Sequence, residues 1–373
     1  MSPAPASTPR LDAIDAMRGY AIVGVVLAHT GQWTRPASAW AIQLCANGAL
    51  GVQLFFVASA FALFLSNERR HGHEARPTAD FFIRRFCRIA PMFYAGLIFF
   101  VWLAGDRPRL WAPRGVTPSD IGLTALFLHG WHPETINSVV PGGWSIAVEV
   151  SFYALLPLLF QLVTSRTRAL GLLVFTLLLG RVADDWLAPV LTPAYPPGYA
   201  YLAENFRFFW IFGQLPVFAL GVLLYYLLRD RRNRPDRPLG WLSLVAAGGV
   251  FAAIFWQLGP LAPPPLPAVV LVGVSCLLFG FALHQTQSPL LVNPLTVFLG
   301  KISYSLYFVH FAVFQGLFRL WPAGLAVTGW WSTPLALLLV LATAGAISAA
   351  TYRWIELPGM ALGRRWVARL ESR

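Results

Sequence analysis

AIDAMRGYAIVGVVLAHTGQW, residues 13–33, is long and apolar enough to cross a bilayer, yet it holds an aspartate, an arginine and a histidine. A span needs about 20 mostly apolar residues to bridge a hydrocarbon core roughly 30 Å thick. An ionisable group at its centre costs about 2.5 to 3.5 kcal/mol on insertion scales, so such groups persist where they serve a purpose. Asp15, Arg18 and His29 stand three and eleven residues apart. At about 100° per residue, eleven residues make three turns plus roughly 20°. All three therefore share one helical face, with His29 roughly 16 Å beyond Arg18 along the axis. Snorkelling to an interface is a sufficient account of Arg18 alone, and packing of His29, but neither explains the shared face. A small-residue site, Ala37-Ser38-Ala39, follows the span as in a secretory signal. Cleavage is not expected, because ionisable residues interrupt the run and it exceeds the roughly 15 residues of a signal core.

The rest of the 373 residues has the same character: 57% hydrophobic, 12% charged, mean hydropathy +0.60, with the charges bunched between apolar stretches. That composition excludes a soluble domain, a disordered chain and a disulfide-stapled one. Spans are read near 13–33, 46–66, 84–104, 144–164, 168–187, 206–228, 240–258, 266–284, 297–320 and 333–354. The expected fold is all-α and polytopic, with about ten transmembrane helices. Arginine-rich links at 68–88, 166–168 and 229–237 follow every second span, and the C-terminus is basic. The positive-inside rule then places both termini in the cytoplasm. The opposite links, such as TPAYPPGY at 192–199 and GPLAPPPLP at 259–267, carry few charges, with Arg107, Arg109 and Arg114 the exception. DIGLTALFLHG at 120–130 is too short to cross and is expected to be re-entrant or interfacial. The expected organisation is a cytoplasmic tail 1–12, a transmembrane domain 13–358 and a basic cytoplasmic tail 359–373. A net charge of +12, with Lys301 the single lysine, serves this topology rather than nucleic acid. Cys45, Cys87 and Cys276 are odd in number and sit in apolar segments, where a thiol acts as a small hydrophobe.

Depth arithmetic brings polar residues of other spans to the level of His29. Counted from the outer side, Gln53 lies roughly 9 Å in, Glu149 about 7 Å and His29 about 6 Å, while His310 is about 20 Å from the inner start of its span. Plainer roles exist: an interhelical hydrogen bond for Gln53, which is the better account of that residue, and a structural ion pair or a protonated buried acid for Glu149. On the inner side, Arg85 and Arg88 are three residues apart on one helical face. Guanidinium forks match phosphate oxygens, so Arg18, Arg85 and Arg88 suit a phosphorylated ligand such as the nucleotide end of coenzyme A; topological anchoring explains Arg84 equally well. No Walker loop, dinucleotide fingerprint, HExxH or CxxC is present, and no metal site is expected; His71 and His73 lie in a basic, solvated loop.

Six segments occur in order: RLDAIDAMRGYAIVGVVLAH (10–29), GVQLFFVASAF (51–61), FFIRRFCRIAPMFY (81–94), GWSIAVEVSFYALLPLL (143–159), LGKISYSLYFVH (299–310) and YRWIELP (352–358). Together they resemble the acyltransferase-3 family of multipass membrane O-acyltransferases over nearly the whole chain. The resemblance implies a cytosolic acyl-CoA donor, usually acetyl-CoA, as co-substrate, with no tightly bound cofactor. It implies a hydroxyl acceptor on a glycan, a lipid-linked sugar or a secondary metabolite, and a place in the cytoplasmic (inner) membrane. Carried over by position, the family's essential histidine falls on His29, its arginines on Arg18, Arg85 and Arg88, and its WSxxxE carboxylate on Glu149. His29 and Glu149 are expected to be catalytic. Asp15, Gln53, Trp144, Ser145, Tyr304 and His310 join the arginines as expected substrate-binding residues. Family members often have Asp at Gln53, Gly at Ala60, and an acid and Gln at Val150 and Ser151. Some also carry an SGNH hydrolase-like domain after the last span, whereas this sequence stops about 15 residues after IELP, so the stand-alone form is expected. In the expected mechanism His29 acts as general base, the preferred reading, or briefly carries the acyl group, with Glu149 orienting the imidazole or stabilising its charge. A transporter of a small anionic or acylated substrate is the alternative; it lacks the two-half symmetry such folds show. A scaffolding role leaves the polar groups within spans without purpose.

Overall fold

The computed structural model describes residues 9–34, 36–70, 72–231, 234–256, 264–320 and 331–372. Residues 1–8 of the expected N-terminal tail, His71, and 259–263 of the proline-rich link lie outside the described residues. Every regular element among the described residues is helical, apart from one bridge pair between Arg109 and Ala112. In chain order these are α1 (Pro9–Thr34), α2 (Ala39–Gly48), α3 (Gly51–Arg70), α4 (Pro77–Ala104), α5 (Pro118–Ala125) and α6 (Gly143–Leu162). There follow α7 (Arg166–Ala194), α8 (Ala200–Phe209), α9 (Ile211–Asp230), α10 (Arg237–Phe255) and α11 (Leu266–Thr286). The last are α12 (Pro294–Lys301), α13 (Ser303–Leu320), α14 (Ser332–Thr351) and α15 (Leu357–Glu371), with a π-helical turn at Tyr352–Glu356.

The chain is an all-α, polytopic membrane protein. Among the described residues, 7 helical stretches are long and apolar enough to cross a bilayer, and an eighth is formed if α12 and α13 count as one bent span. α1 and α7 coincide with expected spans but fall outside that set, because each mixes charges into its apolar run: Asp12, Asp15 and Arg18 in one, Arg181, Asp184 and Asp185 in the other. The span expected at 297–320 is not one rod. It bends by 77° between Lys301 and Ser303. Its first part is a separate capped helix, with Asn293 and Thr296 forming a reciprocal capping box. The expected 46–66 span breaks between Gly48 and Gly51, and the 206–228 span at Trp210. At the C-terminus, residues of the expected basic tail form the helix α15.

The chain divides into two units. Unit 1 holds Met1–Phe64, Ser165–Leu170 and Val217–Gly345. Its helices approach through small residues, as membrane helices do where lipid supplies no hydrophobic drive. A Cβ on Gly19 would overlap the carbonyl of Thr296, and one on Gly300 the carbonyl of Asp15, so α1 and α12 touch backbone to backbone. The Oγ1 atoms of Thr34 and Thr333 are 2.8 Å apart and join α1 to α14. Ser275 Oγ donates to the Ala247 carbonyl at 2.9 Å between α11 and α10.

Unit 2 holds Leu65–Thr164, Gly171–Pro216 and Ala346–Arg373. Here Gly359 and Gly363 of α15 lie against Cys87 and Pro91 of α4. Pro91 lacks the N–H that would bond the Cys87 carbonyl within the helix. The bare backbone of Gly359 packs on that freed carbonyl.

Candidate active site

In unit 1 the polar face expected from residues 13–33 is present along α1. Asp15 and Arg18 form an ion pair at 3.7 Å, one turn apart, with both side chains largely buried. Three turns further, Nδ1 of His29 is 3.0 Å from Oε1 of Gln32. With the amide oxygen as acceptor, Nδ1 carries the proton and Nε2 keeps its lone pair. The His310 ring of α13 lies 5.3 Å from that of His29, tilted by 31°, and Phe311 closes on both rings at 4.5 and 4.1 Å. His310 is fully buried, and its Nδ1 donates to the Leu306 carbonyl at 2.9 Å. Its Nε2 has no hydrogen-bond partner among the described residues. The sequence estimate of a shared depth for His29 and His310 is thus matched by a contact. Gln53 is buried in α3. Tyr304 sits six residues before His310, about 9 Å down α13, edge-on to Phe308 at 5.4 Å.

In unit 2 the site is built on the start of α6. Gly142 takes a φ of 74°, open to glycine at little cost, and Ser145 Oγ donates to its carbonyl at 3.1 Å. The buried His129, in the short turn after α5, donates from Nε2 to the Gly143 carbonyl at 3.0 Å. Burial pushes the His129 imidazole down to about 4, the hydrogen bond to Gly143 partly offsetting it, so the ring is neutral at pH 7 and works as a strut for the helix start. Trp144 is buried and stacks on Phe209 at 4.3 Å, which makes it part of the packing beneath α6.

Two turns along α6, Glu149 accepts a hydrogen bond at Oε1 from the hydroxyl of Tyr153, at 2.7 Å. The Arg85 guanidinium carbon lies 5.9 Å from the centre of the Tyr153 ring and 5.8 Å from that of Phe81. Arg85, one of the two arginines expected to hold phosphate, and the WSxxxE carboxylate therefore meet at one phenol, with Arg88 three residues further along α4. Arg84 is different: it pairs with Glu74 at 2.7 Å, which accounts for it structurally. Among the described residues no group of three or more His, Cys, Asp or Glu is placed to hold a metal ion.

Three residues of these clusters escape a reading by type and motif. Gln32 and Tyr153 are signalled only by their spacing, three beyond His29 and four beyond Glu149. His129 lies in a segment too short to cross, and nothing in the sequence ties it to Gly143.

The model of a family described as an acyltransferase domain matches residues 11–353. Among curated proteins, the chain is 27% identical to acyltransferase MdmB of Streptomyces mycarofaciens, over 97% of this chain and 95% of that protein. It is 27% identical to exopolysaccharide production protein ExoZ of Rhizobium meliloti, over 85% and 91% respectively. Putative O-acetyltransferase SACOL0978 of Staphylococcus aureus is 23% identical over 93% of this chain and 57% of its own length. No solved structure matches.

Proposed function

We propose, for a chain that belongs to the acyltransferase-3 family and is thereby an O-acyltransferase, that it moves an acyl group, acetyl in the simplest case, from cytosolic acyl-CoA to a hydroxyl. The acceptor classes that suit this reading are carbohydrates, glycolipids and secondary metabolites; relatives named for exopolysaccharide production and O-acetyl transfer support the first. The protein works in the cytoplasmic membrane, with its arginine-rich links on the side where acyl-CoA is made.

The observation that carries the reading is the 3.0 Å approach of His29 Nδ1 to Gln32 Oε1. With Nδ1–H donating to that oxygen, Nε2 is the basic nitrogen. Nε2 takes the proton of the acceptor hydroxyl as its oxygen attacks the thioester carbonyl. The carbon–sulfur bond breaks, and the proton passes to the departing CoA thiolate. Products are the O-acyl ester and CoA. Arg85 and Arg88 bind the donor phosphates, and Glu149 serves turnover rather than donor affinity.

Calorimetry of CoA binding to the purified protein tests the donor half. Charge-assisted contacts to phosphate contribute about 1.5 to 3 kcal/mol each, so Arg85→Ala and Arg88→Ala should each weaken CoA roughly tenfold or more. Equal binding by both variants and by the double variant would reduce these arginines to topological anchors. The acceptor is found by mass spectrometry of glycans and small metabolites from cells with and without the gene, as an acyl mass difference. Its absence across both pools would count against transfer.

A further inference from the structure

We infer that Tyr153 is a positioning residue of the transfer reaction, holding the Glu149 carboxylate in place and tying it to Arg85 on α4. The inference rests on the reading of Glu149, Arg85 and Arg88 given above and deepens it. Its ground lies wholly within unit 2. Tyr153 is one turn beyond Glu149 on the same helix, and its hydroxyl donates to Oε1 at 2.7 Å. A phenol-to-carboxylate bond of that length is charge-assisted and about twice as strong as a neutral one. Residues four apart on a helix face one another, so the helix itself sets the pair's geometry.

The ring matters as well as the hydroxyl. It is buried, with Phe81 edge-on at 6.0 Å, and presents its π system to Arg85. One aromatic spacer thus separates the guanidinium assigned to the donor phosphates from the carboxylate assigned to turnover. A phenylalanine would fill the same volume and offer Arg85 the same kind of face. Only the bond to Oε1 requires tyrosine, which makes the two functions of the side chain separable.

The test uses the full-length protein in lipid nanodiscs, with acetyl-CoA as donor and, as acceptor, the glycan and lipid extract of cells lacking the gene. Tyr153→Phe should lower kcat roughly tenfold to a hundredfold, with KM for acetyl-CoA and CoA affinity changed by no more than about twofold. Tyr153→Leu, which also removes the ring, should raise KM in addition. Retained CoA affinity in Tyr153→Phe reports that the variant is folded. Ring-fluorinated tyrosine at 153 gives a second series that keeps the shape and alters only the acidity of the donor. Turnover that tracks that acidity supports the inference, and a flat series opposes it. Glu149→Gln in the same assay separates two failures. If Glu149→Gln turns over normally, the reading of Glu149 falls and the inference with it. If Glu149→Gln is inactive while Tyr153→Phe matches wild type or loses only donor affinity, the tyrosine is packing and the inference alone is overturned.

Discussion

The proposed mechanism concentrates the chemistry in the imidazole of His29, and two substitutions separate the roles it assigns. His29→Ala should leave CoA binding intact and cut transfer by about 10² to 10⁴, the usual worth of a general base. Near wild-type turnover in reconstituted protein would make His29 a packing residue and turn attention to His310, whose Nε2 is unpartnered among the described residues. Gln32→Leu removes the bond that fixes the tautomer. Its cost should be smaller, roughly tenfold in kcat with donor affinity unchanged, because the base remains but spends part of its time protonated on the wrong nitrogen. His129 supplies a pH prediction of a different kind. Burial holds its pKa at about 4, against an ordinary value near 6.5, so the unfolded chain binds a proton in that window and the folded one does not. The stability it contributes is present above about 6.5 and is lost as pH falls toward 4. Thermal unfolding in detergent should show the midpoint falling across that window. His129→Gln, which keeps a donor without titrating there, should flatten the slope.

At the scale of elements, the apolar runs were legible in the sequence and their interruptions were not. Hydropathy sees residues 297–320 as one stretch. The 77° bend depends instead on the reciprocal cap of Asn293 and Thr296 and on how closely α12 lies to α1, both of them matters of tertiary contact. The face shared by Asp15, Arg18 and His29 was legible, because helical period alone fixes it. The partner of that face was not: periodicity does not say that Gly300 abuts Asp15, or that Phe311 closes on both histidines. Gly300→Ala tests the first of these contacts. Its new methyl would overlap the Asp15 carbonyl and push α12 off α1, an overpacking cost of about 1 to 3 kcal/mol. The unfolding midpoint should drop by several degrees, and transfer should fall because α1, which would lose its contact with α12, carries the Asp15–Arg18 pair at that point. Gly316→Ala in α13 is the control. Nothing lies within 4 Å of the position its Cβ would take, so it should be neutral or gain about 0.5 to 1 kcal/mol from lower backbone entropy in the unfolded chain.

For the whole molecule, orientation turns on the segment between α4 and α6. Arginines are bunched at 68–88, 166–168 and 229–237, and the inside count survives only if residues 120–130 do not cross. In the structure that stretch holds α5, a helix of 8 residues, followed by a turn at His129–Trp131. Eight residues rise about 12 Å, less than half of a hydrocarbon core roughly 30 Å thick. Two labelling sites then decide the matter in intact cells expressing a variant without Cys45, Cys87 and Cys276. Asp106 follows α4 and Arg166 follows α6, and both are exposed. If α5 does not cross, the chain traverses the membrane once between them. An impermeant thiol reagent should then modify a cysteine placed at Asp106 and spare one placed at Arg166. If α5 crosses, the chain traverses twice and the two sites react alike. A cysteine at Arg231, in the link between α9 and α10, should be spared together with the one at Arg166, because α7 and the α8–α9 pair return the chain to the same side. Modification at Arg231 with Asp106 spared would invert the topology and place the arginines of α4 away from cytosolic acyl-CoA. The same labelling therefore also tests whether the proposed donor arginines face the cytosol.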